Sequence, residues 1–191
     1  AFYVTTPALV FWLLIGTHIN PPDILRMMAF TGAAVLGIGL LSLLVAKGLR
    51  LKGETAAAFI LASTFMNSGN YGLSLNQFAF GEEALAWASI FYIAGTMLTN
   101  SVGVLVATAG RAAPWKALAG LARVPSMYAI PAALLVRSLG GELPYALSRP
   151  VELLAAAAVP LMILILGMQL GHAGLPKERG LLAGATALRL I

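Results

Sequence analysis

The sequence contains no cysteine and only two histidines, His18 and His172. The missing thiols exclude disulfides, cysteine nucleophiles and cysteine-ligated metals. Neither histidine has an acidic residue within one helical turn, and the glycines form neither a phosphate loop nor a dinucleotide fingerprint. We therefore predict a protein that is not an enzyme and that holds no cofactor and no metal.

Charged residues are also scarce. They make up 10% of the 191 residues, whereas a soluble domain carries about 25%. Hydrophobic residues make up 60%, and the mean hydropathy is +0.90. The net charge of +5 comes from single basic residues scattered between apolar runs, so we expect no nucleic-acid partner. The solvent predicted for this chain is the lipid bilayer.

Apolar runs recur along the chain, and a helix needs about 20 apolar residues to cross a bilayer. We predict an all-α, multi-pass protein of the cell membrane. Its spans are residues 1–19, 24–46, 54–80, 82–109, 125–139 and 145–170, with an interfacial helix at 114–123. Residues 1–19 begin apolar without a methionine, and residues 181–191 are apolar but too short to cross. We therefore expect a fragment of a longer protein.

Basic residues alternate between the two sides of this arrangement, and cytoplasmic connections are the ones that accumulate lysine and arginine. The connections after the second, fourth and sixth spans contain Lys47, Arg50, Lys52, Arg111, Lys116, Arg123, Lys177 and Arg179. The opposite side contains Asp23, Glu82, Glu83 and Glu142, with Arg26, Arg137 and Arg149. We therefore predict that the first span runs outward from the cytoplasm. Because Arg26 lies one turn from Asp23, and Arg149 one turn from Glu152, we expect both arginines at solvated interfaces.

The third predicted span is interrupted by small and polar residues. These are Asn67, Gly69, Asn70 and Gly72. They lie about 20 Å along a helix that starts at Glu54, which is close to the bilayer midplane. Because hydrocarbon cannot satisfy free backbone groups, such a break faces protein or a water-filled cavity, and transporters use such breaks to bind substrates. We expect a half-helix from about Tyr71 to present its positive end to an anion. The alternative is a capped helical hairpin buried against its neighbours.

A weak internal similarity links the first and sixth spans. Residues 7–16 and residues 160–167 each consist of a proline, apolar residues and a final glycine. Because five spans separate the two copies, they would enter the membrane from opposite sides, as in an inverted-topology repeat. Coincidence between two apolar runs is the alternative.

Residues 67–75 read Asn-Ser-Gly-Asn-Tyr-Gly-Leu-Ser-Leu. They resemble the Asn-x-Gly-Asn-x-Gly-Leu-Pro-Leu segment of the auxin efflux carrier family, which includes bacterial organic-acid permeases and plant auxin exporters and is related to the bile-acid sodium symporters. Residues 158–161 and 167–170 are similar to that family's Val-Pro-Leu and Leu-Gly-x-x-Leu motifs, and Leu143, Pro144 and Pro150 match the stretch before them. The chain departs from the family at Ser74, where a proline is usual.

The resemblance implies a ten-span transporter made of two inverted repeats of five helices, with two broken helices crossing at the substrate site. In that frame residues 1–109 are spans two to five of the first repeat, including the broken helix 54–80. Residues 110–191 then begin the second repeat. The resemblance also implies a homodimer built on a scaffold domain and a small organic anion, such as a carboxylate or an auxin-like acid, as substrate. Coupling to protons or to sodium stays open.

The same resemblance assigns Asn67 and Asn70 as hydrogen-bond donors to a carboxylate. Gly69 and Gly72 would permit an unwound backbone that approaches the ligand closely. Further candidates are Thr6 with its neighbour Thr5, Gln169 and Arg189. The threonines and Gln169 have interhelical packing as their alternative role, and Arg189 has pairing with a carboxylate outside this sequence. The alternative functions are a sodium-coupled carrier of the bile-acid symporter type and a helical bundle that transports nothing.

Overall fold

The computed structural model describes residues 3–16, 19–108, 124–140, 143–172 and 178–190, and every regular element within these ranges is a helix. The α-helices are α1 (Thr5–Gly16), α2 (Pro21–Gly48), α3 (Gly53–Thr64), α4 (Ser74–Leu98), α5 (Val104–Ala107), α6 (Ser126–Ser138), α7 (Tyr145–Ala156), α8 (Ala158–His172) and α9 (Arg179–Leu190). Two π-helical segments, Ser68–Leu73 and Thr99–Gly103, precede α4 and α5. The predicted interfacial helix at 114–123 lies outside the described residues.

Three stretches within the described residues are long and apolar enough to cross a membrane. They are Pro21–Gly48, Gly53–Ala107 and Tyr145–His172. This differs from the six spans predicted above, because α1 and α6 have only 12 and 13 residues, which is about 18–20 Å of helix against ~30 Å of hydrocarbon. The 55-residue stretch Gly53–Ala107 also counts once although it contains two predicted spans. The ten-span arrangement stays a prediction.

Large apolar side chains cover the outside of these helices. On α2, Leu36 and Leu40 are 52% and 59% exposed, and on α8 Leu164 is 59% exposed. Soluble monomers rarely expose apolar patches of this extent, because water penalises them. The fold is that of a helical membrane protein.

The backbone leaves the helical conformation at Gly81, within α4. Its φ of 82° and ψ of −166° are open essentially to glycine alone. The change lies between Phe80 and Glu82, where we predict the end of the third span and the start of the fourth. Glu82 and Glu83 follow it directly and are exposed, so their carboxylates lie in the first turn of the second part of α4, where negative charge is favourable.

The charged residues at the two ends of α2 have the signs that the helix dipole favours. The helix α2 begins at Pro21, has Asp23 in its first turn and Lys47 in its last turn, an arrangement that suits the helix dipole. Arg26 pairs with Asp23 at 2.9 Å.

Between α7 and α8 the helix is interrupted at Ala157, because Pro160 has no N–H to donate to the carbonyl four residues earlier. The second predicted neighbour pair, Arg149 and Glu152, also forms, at 2.8 Å.

The chain divides into two compact units. The first consists of Ala1–Met28, Asn67–Ile93 and Ala122–His172. In it α1 packs against α6 and α7, and Val10 and Leu14 of α1 are fully buried. Arg137 of α6 donates from Nη1 to the carbonyl of Ile19 at 2.6 Å, which satisfies a carbonyl beyond the end of α1.

The second unit consists of Ala29–Met66, Ala94–Leu121 and Ala173–Ile191. Its core joins α2, α3 and α9 through Ala46, Phe59, Ile60 and Ala185. A Cβ placed on Gly103 would lie 3.1 Å from Phe65 Cε2, so the absent side chain admits the phenylalanine ring. Each of these compact units contains segments from both predicted repeats, residues 1–109 and 110–191. The division into repeats concerns the sequence and stays a prediction.

The second π-helical segment, Thr99–Gly103, carries its own hydrogen-bond partners. Side chains of Thr99, Asn100 and Ser101 donate to backbone carbonyls four residues earlier, at 2.9, 2.9 and 2.7 Å. Carbonyls that a π-helical turn displaces therefore have side-chain donors from the same stretch, as lipid requires.

Candidate functional site

The interruption of the third predicted span is a short irregular segment followed by a new helix start. Helix α3 ends at Thr64, residues 65–67 are not helical, and the chain becomes helical again at Ser68. Asn67 caps the new helix, because its Oδ1 accepts a hydrogen bond from the Asn70 backbone N–H at 3.1 Å. The positive end of the half-helix therefore lies at Ser68, one turn earlier than the expected start at Tyr71.

The π-helical segment Ser68–Leu73 opens the new helix and runs directly into α4. The backbone N–H of Gly72 donates to the Asn67 carbonyl at 3.0 Å, over five residues. Ser74 donates from its hydroxyl to the Asn70 carbonyl at 2.9 Å, and Asn76 donates from Nδ2 to the Gly72 carbonyl at 2.8 Å. These side chains hold the segment in shape without the proline that the resemblance leads one to expect at position 74.

Asn70 is the buried polar centre of this site. The residue is 2% exposed. Its Nδ2 donates to Gln169 Oε1 of α8 at 3.4 Å, while its Oδ1 is buried and has no partner within the described residues. An unpaired buried carbonyl oxygen costs about 1–3 kcal/mol. The site therefore has an acceptor available for a donor that the described residues do not supply.

Asn67 complements Asn70 because it is exposed. Its Oδ1 accepts the capping hydrogen bond. The two N–H groups of its Nδ2 can therefore donate to a ligand. The N–H groups of the first helical turn have no intrahelical acceptors either. The start of this helix therefore combines carboxamide and backbone donors around a positive helix end.

The two site glycines lie within the π-helical segment Ser68–Leu73. Neither Gly69 nor Gly72 is among the described glycines with positive φ, so neither is needed for a left-handed backbone. A Cβ on Gly72 would meet its nearest atoms at 3.6 and 3.7 Å, which are ordinary contacts. What the glycines provide is bare backbone at the start of the helix, with Gly69 buried.

The remaining predicted residues divide between the two units. Gln169 joins Asn70 through the hydrogen bond above, and α8 packs against the Ser68–Leu73 segment. Thr6 and Thr5 are buried on α1 in the same unit. Arg189 belongs to the other unit, where it donates from Nη1 to the carbonyls of Ala62 and Phe65 at 3.1 and 3.2 Å.

Sequence reasoning missed Ser74 and Asn76 as supports of the site. The signal was available, since each lies four residues after a residue of the interruption and a hydroxyl or carboxamide at that spacing reaches back to a carbonyl. No group of three or more His, Asp or Glu side chains converges in the part of the chain that the structure describes. His18 lies outside that part, and His172 Nδ1 lies 2.8 Å from the Met168 carbonyl.

The chain is similar to the uncharacterized transporter MJ1031 of Methanocaldococcus jannaschii. The two are 27% identical over 176 residues, which cover 88% of this chain and 57% of that protein. The chain thus spans little more than half the length of the relative it matches. No protein-family profile and no solved structure matches it.

Proposed function

We propose that this chain is part of a secondary membrane transporter and holds a binding site for a small organic anion at the helix start Asn67–Gly72. The observation that carries the proposal is the buried Oδ1 of Asn70, which has no partner among the residues that the structure describes and lies beside a capped helix N-terminus. Similarity to a protein named as a transporter supports the general class. The resemblance to the auxin efflux carriers supports the substrate class.

The depth of the site favours a role in transport. Helix α3 has 12 residues before the break, so the break lies about 18 Å along the span, near the middle of the hydrocarbon layer. Polar groups at that depth are expensive, and they are typical of substrate and ion pathways. A structural break would need no unpaired acceptor.

The chemistry of the site suits a carboxylate with a second polar group. The Nδ2 of Asn67 and the first-turn N–H groups other than that of Asn70 donate to carboxylate oxygens, with the helix dipole adding favourable potential. The Oδ1 of Asn70 accepts from an O–H or N–H group on the same ligand. If the carboxamides of Asn70 and Gln169 are both rotated by 180°, Gln169 Nε2 donates to Asn70 Oδ1 and their hydrogen bond persists. Asn70 then offers its Nδ2 donor to the ligand instead of an acceptor.

The substrate would then be released by alternating access, in which the site opens to either side of the membrane in turn. Thr6 stays a second-rank candidate for this site. A homodimer and the coupling to an ion also stay predictions.

The test is flux of a labelled hydroxycarboxylate into proteoliposomes that contain the full-length transporter. Asn70→Ala should lower the initial rate by about 5- to 150-fold, because an unpaired ligand donor costs about 1–3 kcal/mol and 1.4 kcal/mol is a factor of ten. Asn100→Ala is the matched control, since its carboxamide also donates to a backbone carbonyl, that of Thr96, but in the other π-helical segment and outside the site. Its effect on flux should be much smaller.

A double variant gives the decisive result for the site. If flux by the transporter survives with both Asn67→Ala and Asn70→Ala, the binding site lies elsewhere. Loss of saturable flux in the double variant, with retained flux in the Asn100→Ala control, supports the assignment.

A further inference from the structure

The guanidinium of Arg189 lies at the end of α3, where the helix stops before the break. Its Nη1 donates to two carbonyls at once, those of Ala62 and Phe65. Both oxygens lie within 3.2 Å of that single nitrogen, so they already converge on one positively charged group. The carbonyl end of a helix carries the negative end of its dipole, which attracts a cation.

This contact is not an ion pair. Within the described residues the two salt bridges are those of Arg26 with Asp23 and of Arg149 with Glu152. Arg189 takes part in neither, and in this part of the chain its guanidinium donates to peptide carbonyls. Its Nη2 is buried without a hydrogen-bond partner among the described residues, which indicates that bulk water does not reach this side of the guanidinium.

Transporters with broken helices use such carbonyl ends to coordinate coupling cations, because main-chain oxygens at a helix C-terminus replace the ion's hydration shell. In this chain a cation that belongs to the protein already holds that position. Arginine stays protonated at every relevant pH, so this group carries its positive charge throughout.

From this geometry we infer that Arg189 is a built-in cation that occupies the carbonyl end of α3 in place of sodium. The inference rests on the proposed transport function, and it specifies the coupling: sodium has no site at this helix end while Arg189 is docked there. Removing the guanidinium would leave two converging carbonyls that can serve as two of the oxygen ligands of a sodium ion.

The experiment measures thermal unfolding of the purified full-length protein in NaCl and in choline chloride of equal concentration. The wild type should unfold at the same temperature in both salts. Arg189→Ala should unfold about 2–4 °C lower in choline chloride, the shift expected for a modest loss in a protein of this size. Sodium should restore at least half of that loss. Arg189→Gln, which keeps a neutral donor and the bulk of the side chain, should show the same sodium response if Arg189→Ala does not fold.

Two control variants separate this role from simple capping. Arg137→Ala removes an arginine that also donates to backbone carbonyls, but its Nη1 lies 2.6 Å from the Ile19 carbonyl and 3.5 Å from the Leu14 carbonyl, so its removal leaves one close carbonyl and not two convergent ones. It should lose stability equally in both salts. Arg179→Ala, at the exposed start of α9, should match the wild type.

The outcomes are distinct. An equal loss in both salts for Arg189→Ala and Arg189→Gln would show that Arg189 is only a helix cap. A sodium-specific stabilisation of the wild type, or the same sodium recovery in Arg137→Ala, would also overturn the inference. Because the readout needs no substrate, failure of anion flux in the liposome assay leaves this measurement interpretable.

Discussion

A carboxamide carries a donor and an acceptor on one rigid group, and each of the two asparagines in the site uses one of these ends within the protein. Asn67 accepts from the backbone through Oδ1, and Asn70 donates to Gln169 through Nδ2. What stays available is a donor on the exposed residue and an acceptor on the buried one. A ligand that binds both residues would therefore need an acceptor group facing Asn67 and a donor group facing Asn70.

Ser74 provides a test at the same scale. Its own N–H donates to the Tyr71 carbonyl, so its hydroxyl is the group of this residue that reaches the Asn70 carbonyl. Ser74→Ala should lower the free energy of unfolding by about 1–2 kcal/mol, because a buried carbonyl loses a donor in a distorted helix. Thermal unfolding in detergent measures this.

Ser89→Ala is the control for Ser74→Ala. Ser89 is also buried and donates to the Leu85 carbonyl at 2.8 Å, but in regular helix, where that carbonyl already has a backbone donor. Its loss should be less than half as large. Equal losses in the two variants would show that Ser74 does not support the interruption specifically.

The polar residues at the break were identifiable from their types alone, because two asparagines and two glycines in an apolar run break the binary pattern of a span. The helix start was misplaced, since the capping hydrogen bond from Asn70 N–H to Asn67 depends on backbone angles that composition does not specify. The contact between Asn70 and Gln169 joins residues 99 positions apart. No local pattern gives such a pairing.

At the scale of elements, Gly81 separates two helices within α4. Gly81→Ala should destabilise the protein by about 1–3 kcal/mol, because a side chain is strained at that backbone conformation. A Cβ there would meet no atom within 4 Å, so crowding does not contribute. The readout is again the unfolding temperature in detergent.

Gly95→Ala is the matched control and should have the opposite sign. A Cβ on Gly95 also meets nothing within 4 Å, but Gly95 lies in a regular part of α4, where alanine is favoured over glycine by up to about 1 kcal/mol. Stabilisation by both substitutions would mean that Gly81 is not held in the strained conformation.

The boundary at Gly81 could be read from the sequence because two glutamates follow a long apolar run. The lengths of α1 and α6 could not be read in the same way. Apolar composition extends through their neighbouring residues, whereas the helices have 12 and 13 residues. Apolar composition indicates that a segment lies in lipid. It does not indicate where the helix begins and ends, because helix length depends on capping and packing.

At the scale of the whole molecule, topology can be tested with single cysteines, because the chain has no thiol of its own. In intact cells a membrane-impermeant maleimide should label Glu82→Cys and leave Lys52→Cys unlabelled. Permeabilised cells should show labelling at both positions. These expectations follow from the excess of basic residues in the connections on the Lys52 side.

Leu40→Cys is the control for lipid exposure. Leu40 is 59% exposed on α2, and it should stay unlabelled in intact and permeabilised cells because thiolates do not form in hydrocarbon. Labelling of Lys52→Cys in intact cells would reverse the predicted orientation. Labelling of Leu40→Cys would place α2 in water.

The interruptions at Ser68–Leu73 and Thr99–Gly103 draw their extra hydrogen bonds from residues of the same stretch, which bears on biogenesis. A nascent span leaves the insertion machinery before the ribosome has made the helices that later surround it. Ser74, Asn76, Thr99, Asn100 and Ser101 are already present at that moment, on the same polypeptide as the carbonyls they serve. Each irregular turn can therefore form these hydrogen bonds as it enters the bilayer, before later helices pack against it.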